Sequence, residues 1–269
     1  MAGRPPGAIA SKRYAAIRDY CPAGQCIVGM LDRFLSVFDS TRAFDLLKRL
    51  GQHRIEQLAL TGGVAVEMHI LLAGQAPGRR SLNDFDFIAD DFAHIPETLG
   101  SEFLFRHVHP AEIPGRTMMQ LVDVDAKLRV DIFRATGASM RRAGQIDLPT
   151  GRISMIALED LIARTARLSL DIASGVPTPG KHAADFMRLS DLIGPADVQS
   201  VWGDHRKRDH PTAFKDARDL LHELIPRRSD LLIYPDYSQD IGAACPRCVA
   251  SSVFPLANRR AIFSVLGYC

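Results

Sequence analysis

The sequence predicts a mixed α/β fold, in which a mixed sheet flanked by helices is followed by a helical C-terminal half. Short apolar runs bounded by turn residues dominate the first 150 residues, and apolar residues at helical spacing dominate the remainder. A chain of 269 residues, 46% of them hydrophobic, is long enough to bury a core. We therefore expect a loose arm over 1–24, a sheet domain over 25–150 and a helical domain over 151–269, with a cleft near residue 150.

Individual elements follow from local patterns. Apolar spacing predicts one helix through 28–38 and a second that Ser40 or Thr41 caps and that ends at Gly51 in a left-handed conformation. Apolar runs predict strands over 57–61, 84–89 and 103–108, and a hairpin of 119–124 with 128–133. Further helices are predicted over 64–72, 159–172, 182–193 and 213–224.

Charge and composition limit the expected partners and location. The chain has 33 basic and 31 acidic side chains, a formal net charge of +2, so no overall field attracts nucleic acid or a membrane. The most apolar region, 58–73, contains Glu67 and His69 and is too short to span a bilayer. There is no signal-peptide pattern, and five cysteines are an odd number at low density, so the expected location is the cytoplasm.

The first chemical signal is a pair of carboxylates in an apolar strand. Asp84 and Asp86 alternate with Phe85 and Phe87, so both carboxylates point to one face of the strand. Two anions at this spacing repel each other unless a cation lies between them, and Mg²⁺ prefers carboxylate oxygens. Asp131, in a second apolar strand, could complete the site. The alternative is that all three are ordinary strand residues on a solvated face.

A glycine pair precedes these carboxylates. Thr61 ends a strand, Gly62 and Gly63 follow, and a helix begins immediately afterwards. Glycines let backbone N–H groups approach a phosphate closely, and the N-terminus of a helix carries a partial positive charge. A tight strand-to-helix turn also favours glycine, but the order of glycine pair, helix and carboxylate pair predicts a phosphate and metal site.

These residues resemble the nucleotidyltransferase superfamily, and most closely its AbiEii-type toxin branch, which is known from abortive-infection and type IV toxin–antitoxin systems. The resemblance covers roughly residues 55–195, and the segments that carry it are 60–65, 80, 83–87 and 129–132. The sequence departs from the branch at Leu82, where Thr or Ser is usual, and at Arg164, where Lys is expected. The resemblance implies a nucleotidyltransferase-like sheet flanked by helices, with the catalytic domain in 25–150.

The resemblance also implies a Mg²⁺-dependent transferase that moves a nucleotide from a nucleoside triphosphate to a hydroxyl acceptor and releases pyrophosphate. The implied catalytic residues Asp84, Asp86 and Asp131 would hold two Mg²⁺ ions, and Asp131, nearest the nucleophile, could take its proton. A tRNA or other RNA end could be the acceptor, and an antitoxin protein could be a partner. Alternatives are a small-molecule acceptor such as an aminoglycoside, and a zinc-stabilised binding protein without turnover on the same scaffold.

Nucleotide contacts are expected from residues around the same site. The candidates are Thr61, Gly62, Gly63, Arg80, Arg164 and Lys181. Arg79 and Arg80 precede the carboxylate pair and could bind phosphate oxygens, and Asp185, four residues after Lys181, could pair with that lysine. A solvated loop and a surface salt bridge explain the same residues equally well.

Two further signals lie apart from this site. Half of a structural zinc motif is present, and its candidate ligands are Cys245, Cys248 and Cys269, with Cys21 and Cys26 as another pair. Free thiols are the alternative. The basic run 205–208, together with Arg141 and Arg142, could hold an RNA backbone, although a solvated helix end explains it as well.

Overall fold

A seven-stranded mixed sheet lies at the centre of the molecule and, with its flanking helices, confirms the predicted fold class. The computed structural model describes residues 26–53, 55–92, 95–109, 118–123, 125–148 and 151–234. The strands of this sheet are β1 (Ala59–Thr61), β2 (Asp84–Ala89), β3 (Leu104–His109), β4 (Met118–Asp123), β5 (Leu128–Arg134), β6 (Gly144–Leu148) and β7 (Gly151–Met155). Their order is β3–β4–β5–β2–β1–β7–β6, in which β2–β5 and β1–β7 are parallel and the other neighbours are antiparallel.

Helices flank the sheet and make up most of the chain that follows it. They are α1 (Cys26–Leu31), α2 (Val37–Gly51), α3 (Gly62–Leu72), α4 (Ser139–Arg142), α5 (Leu158–Ser169), α6 (Gly180–Leu189), α7 (Pro195–His205) and α8 (Phe214–Arg227). A small parallel pair joins β8 (Thr178–Pro179) to β9 (Leu232–Ile233). Within the described ranges, every helix is too short or too polar to cross a bilayer.

The hydrophobic core explains which faces these elements turn inward. Phe85 and Phe87 of β2 are fully buried, and their ring centroids lie 6.3 Å apart. Because successive strand residues point to opposite faces, the aspartates of β2 point away from this core. The helix α3 is buried from Val64 to Ile70, and this span includes the charged residue Glu67. A buried carboxylate in such a helix requires charged or hydrogen-bonding partners.

Several element predictions are confirmed. The strand β2 spans residues 84–89 as expected, and β4 pairs with β5 as the expected hairpin. The hairpin of β6 and β7 and the helix α7 were not predicted from the sequence. Although β7 follows the predicted boundary near residue 150, it joins the sheet beside β1. The division of the chain into domains stays a prediction.

The first predicted helix, 28–38, is wrong as a continuous element. The helix α1 ends at Leu31, and α2 begins at Val37. Ser36 caps α2, because its Oγ accepts a hydrogen bond from the backbone N–H of Asp39 at 3.1 Å. Ser40, one of the two predicted caps, lies inside α2 and is buried. The apolar spacing therefore continued across a real break in the helix.

The predicted left-handed end at Gly51 is also wrong. Gly51 belongs to α2, and it is not among the glycines with positive φ in the described chain. The backbone N–H groups of Gln52 and His53 donate to the carbonyls of Arg49 and Leu50, each three residues earlier. This tightened last turn satisfies the terminal carbonyls without a left-handed residue.

Candidate functional site

Three carboxylates meet on neighbouring parallel strands. Asp84 and Asp86 belong to β2, and Asp131 of β5 lies opposite Asp86 in the strand register. One carboxylate oxygen from each residue lies within 4.8 Å of the oxygens of the other two. Asp131 is buried, and the other two are partly exposed. Clustered oxygen ligands of this kind fit a hard divalent cation such as Mg²⁺.

The electrostatics of the cluster also favour a cation. Burial, followed by the charges of Asp84 and Asp131, raises the pKa of Asp86 to about 7. Burial raises the pKa of Asp131 as well, although the neighbouring Arg129 opposes this shift. Burial is the largest cause of both shifts, and repulsion between the carboxylates adds to it; a divalent cation bound between them would favour their charged forms.

Arg129 of β5 bridges two of the three carboxylates. Its Nη2 donates to Oδ2 of Asp84 at 2.5 Å, and its Nε donates to Oδ2 of Asp131 at 3.0 Å. Gln120 of β4 donates from Nε2 to the other oxygen of Asp131, Oδ1, at 2.8 Å. The sequence pattern did not assign a role at the site to Arg129 or Gln120. Arg129 lies two residues before Asp131, so strand alternation was the signal that could have identified it.

Each glycine of the predicted pair leaves room for a different side chain. A Cβ atom at Gly62 would lie 2.7 Å from Cβ of Asp86 and nearer still to its Oδ2. A Cβ atom at Gly63 would lie 2.7 Å from Nη1 of Arg80. Gly62 also has a φ of +67°, a left-handed conformation that glycine adopts without steric cost. The pair therefore lets the N-terminus of α3 lie directly beside a carboxylate and a guanidinium.

A cavity of about 500 Å³ opens beside the carboxylates. Most of the predicted site residues line it, namely Gly62, Gly63, Arg80, Asp84, Asp86, Asp131, Arg164 and Lys181. Thr61 is the exception, because it is 1% exposed and is not part of the cavity wall. Its Oγ1 is buried without a hydrogen-bond partner in the described part of the chain.

Basic side chains of the helical half form one wall of this cavity. The guanidinium of Arg164 in α5 lies over the ring of Phe133, 5.1 Å from its centroid. Burial and the charge of Arg167 lower the pKa of Arg164 to about 10, so it stays charged at neutral pH. Burial and nearby cations, first Lys181, lower the pKa of His182 to about 3, so this imidazole is neutral. Such a wall suits a polyanionic ligand.

Arg80 is held by two carboxylates. Its Nε donates to Oε1 of the fully buried Glu67 at 2.6 Å, and its Nη2 donates to Asp185. Arg188 donates to both oxygens of the same Glu67, at 2.5 and 2.7 Å. The contact between Arg80 and Asp185 was not predicted, since Asp185 was expected beside Lys181. Nη1 of Arg80 faces Gly63, so the expected contact of Arg80 with phosphate oxygens would use this side of the guanidinium.

Within the basic run 205–208 and the pair Arg141 and Arg142, some side chains are engaged inside the fold, while Arg141, Lys207 and Arg208 are exposed. Arg142 donates to both oxygens of the fully buried Asp160, and Nε2 of His205 also lies 2.8 Å from this carboxylate. Lys207 pairs with Asp171 at 2.5 Å. These contacts engage Arg142, His205 and Lys207 within the fold, and a role of the basic residues in holding an RNA backbone stays a prediction.

The candidate zinc ligands cannot be assigned a place. Cys245, Cys248 and Cys269 lie outside the described residues, as does Cys21. The zinc site therefore stays a prediction. His69, on the helix after the glycine pair, is buried and its Nε2 lies 2.8 Å from the carbonyl oxygen of Ile156.

Comparisons with known proteins give similarities of fold at low sequence identity. No family model matches this chain, and no curated protein matches it. An antigenic nucleotidyltransferase-like protein from Paracoccidioides brasiliensis is 15% identical over 73% of this chain and 92% of that chain, with a TM-score of 0.39. The antibiotic-resistance factor ANT(2'')-Ia is 13% identical over 75% of this chain and 97% of its own, with a TM-score of 0.36. JHP933 from Helicobacter pylori is 14% identical over 73% of this chain and 97% of its own, with a TM-score of 0.31.

Proposed function

We propose that this chain is a Mg²⁺-dependent nucleotidyltransferase that transfers a nucleotide from a nucleoside triphosphate to a hydroxyl acceptor. One observation carries the proposal, namely the meeting of Asp84, Asp86 and Asp131 within 4.8 Å at a cavity. The N-terminus of α3 and basic side chains line the same cavity. Carboxylates for metal ions and cations for phosphates are the two components that this reaction requires.

The residues of the chain contribute binding, orientation and proton transfer. Gly62, Gly63 and Arg164 would bind the triphosphate, together with Lys181. The three aspartates would hold Mg²⁺, expected as two ions, which supplies charge neutralisation at the phosphates and lowers the pKa of the acceptor hydroxyl. We expect Asp131 to lie nearest this hydroxyl and to accept its proton. No serine or cysteine nucleophile is needed, because the acceptor hydroxyl itself attacks the phosphate.

The test is transfer of radiolabel from each of four α-labelled nucleoside triphosphates in the presence of Mg²⁺. The double variant Asp84→Asn with Asp86→Asn should abolish transfer, since neither side chain then carries the charge that holds a metal ion. The matched control is Asp90→Asn, just beyond the end of β2 and exposed, which should leave transfer unchanged. Transfer by the folded double variant at the rate of the unaltered protein would end the proposal.

We further propose an RNA end, such as that of a tRNA, as the acceptor, in a toxin–antitoxin or phage-defence role. The motif resemblance to the AbiEii-type branch is what supports this finer proposal. Parallel assays with total tRNA and with an aminoglycoside separate the two acceptor classes, because only the true acceptor becomes labelled. Stoichiometric zinc in the purified protein, without Mg²⁺-dependent binding of any triphosphate, would instead indicate a binding protein without turnover.

A further inference from the structure

The chain places its own cation where the carboxylates would bind a metal. The guanidinium of Arg129 contacts Asp84 and Asp131 simultaneously, at 2.5 and 3.0 Å. The strand register makes this bridge possible, because Arg129 lies opposite Asp84 on the parallel strand and two residues before Asp131. Asp86 is not part of this bridge, and the cationic charges that lower its pKa are those of Lys181 and Arg164.

These contacts leave Asp131 without an uncommitted oxygen. Its Oδ1 accepts from Gln120 at 2.8 Å, and its Oδ2 accepts from Arg129 at 3.0 Å. A carboxylate oxygen can accept a neutral amide donor and still bind a cation, because the amide adds no net charge. A guanidinium at the same oxygen repels any second cation that approaches it. Arg129 and Gln120 therefore differ in their expected effect on a metal ion, although they bind the same side chain.

We propose that Arg129 competes with the divalent cation for Asp84 and Asp131, and that it releases at least one of them when a cation binds. This inference rests on the proposed function, since it concerns the same three carboxylates. The bridge neutralises part of the cluster while no metal is bound, which stabilises three close anions. Its cost is a lower affinity of the nucleotide-free protein for the cation.

The released guanidinium has a new partner within the same cavity. Arg129 lines the cavity beside Gly62, Arg164 and Lys181, and its side chain is 31% exposed. A guanidinium fits phosphate oxygens as well as it fits carboxylate oxygens. A bound triphosphate would therefore draw Arg129 away from the aspartates and make metal binding easier. By linkage, the metal would raise the affinity for the triphosphate by the same factor.

The test measures Mn²⁺ binding to the full chain by electron paramagnetic resonance, without nucleotide and with a non-hydrolysable triphosphate. Without nucleotide, Arg129→Met should bind Mn²⁺ about tenfold more tightly than the unaltered protein, since a competing charge is gone. The matched control Gln120→Met removes a neutral donor from the same Asp131 and should not tighten Mn²⁺ binding, because no competing positive charge is removed. Addition of the triphosphate should raise Mn²⁺ affinity in the unaltered protein and raise it less in Arg129→Met.

Thermal unfolding gives a second readout that does not depend on activity. Metal-free Arg129→Met should unfold at a lower temperature, and Mn²⁺ should raise its midpoint by more than it raises that of the unaltered protein. Arg129→Lys keeps the charge but cannot bridge two carboxylates. Its unfolding midpoint and its Mn²⁺ affinity should lie between those of the unaltered protein and Arg129→Met, and it replaces Arg129→Met if that variant does not fold. Mn²⁺ binding by Arg129→Met, or by Arg129→Lys in its place, that is no tighter than in the unaltered protein would overturn the inference.

The same titration separates this inference from the proposed function. If Asp86→Asn abolishes Mn²⁺ binding but the Arg129 variants do not tighten it, only the competition by Arg129 is wrong. If Mn²⁺ does not bind, or binds equally to Asp86→Asn, the proposed metal site itself is wrong.

Discussion

Gly62 and Asp86 lie so close together that no side chain could stand between them. A Cβ atom at Gly62 would come within 2.7 Å of Cβ and Cγ of Asp86. This contact arises because Thr61, the last residue of β1, pairs with Asp86 in the antiparallel register of β1 and β2. The glycine therefore brings the N-terminus of α3 against a carboxylate, whatever ligand the cavity takes.

The first prediction concerns Gly62→Ala. The new methyl group would displace Asp86, and φ at this position, +67°, is strained for alanine. We expect a loss of about 2–4 kcal/mol in the free energy of unfolding, with Mn²⁺ affinity reduced more than tenfold. Gly74→Ala is the matched control, because Gly74 has a φ of +76° and open space around it, and should lose only about 1 kcal/mol. Urea unfolding and Mn²⁺ titration measure the two effects. Equal losses of stability and of Mn²⁺ affinity in Gly62→Ala and Gly74→Ala would contradict the displacement of Asp86 as the cause.

The second prediction concerns Gly63→Ala, where the collision is with Nη1 of Arg80. The guanidinium must move from the cavity edge, so triphosphate affinity should fall severalfold while stability changes by about 1 kcal/mol. Calorimetric titration with a non-hydrolysable triphosphate gives the affinity. Gly203→Ala, in α7 with open space around it, should leave this affinity unchanged. Unaltered triphosphate binding by Gly63→Ala would show that Arg80 does not contact the ligand.

The third prediction concerns the buried Glu67. Although burial raises its pKa, hydrogen bonds from Arg188 and Arg80 lower it below the ordinary value, so Glu67 is charged at neutral pH. Glu67→Gln would leave two guanidinium groups without this countercharge, and we expect a loss of about 3–5 kcal/mol in stability. Glu223→Gln breaks an exposed pair with Arg227 and should cost less than about 0.5 kcal/mol. Urea unfolding of both variants checks the contrast, and a loss below about 1 kcal/mol in Glu67→Gln would argue against it.

The fourth prediction concerns pH and His182. Its pKa is lowered from 6.5 to about 3 in the native protein, because burial and nearby cations, Lys181, Arg164, Arg167 and Arg80, disfavour its charged form. As the pH falls from 6.5 towards 3, the unfolded chain binds a proton that the native protein does not, so stability decreases by at most about 1.4 kcal/mol per pH unit. More than about one pH unit above 6.5 the residue is neutral in both states and contributes no pH dependence.

His182→Gln tests this assignment, because glutamine does not titrate. Urea unfolding between pH 4.5 and 8 should show a smaller acid-induced loss of stability in the variant, with parallel behaviour above pH 7. Identical curves for the two proteins over the whole range would mean that another group carries the effect.

Local patterns in the sequence were sufficient to predict the strand of the carboxylate pair and the glycine junction, although they missed the break between α1 and α2. The alternation of Asp84 and Asp86 with buried phenylalanines predicted both the strand and its polar face, because strand side chains alternate regardless of the fold around them. The glycine pair predicted a strand-to-helix junction for a similar reason. Apolar spacing also predicted the helices of the second half, since this spacing is a property of each segment itself.

Only the tertiary structure decided which charged groups meet. The pairing of Arg129 with Asp84 depends on the parallel register of β2 and β5, and that of Glu67 with Arg188 joins residues 121 positions apart. An ion pair requires two groups to come within a few ångströms, and chain spacing does not specify this for residues on separate elements. The sequence by itself therefore determined the fold class and predicted three candidate carboxylates, whereas folding decided which cations contact them, because those distances exist only in three dimensions.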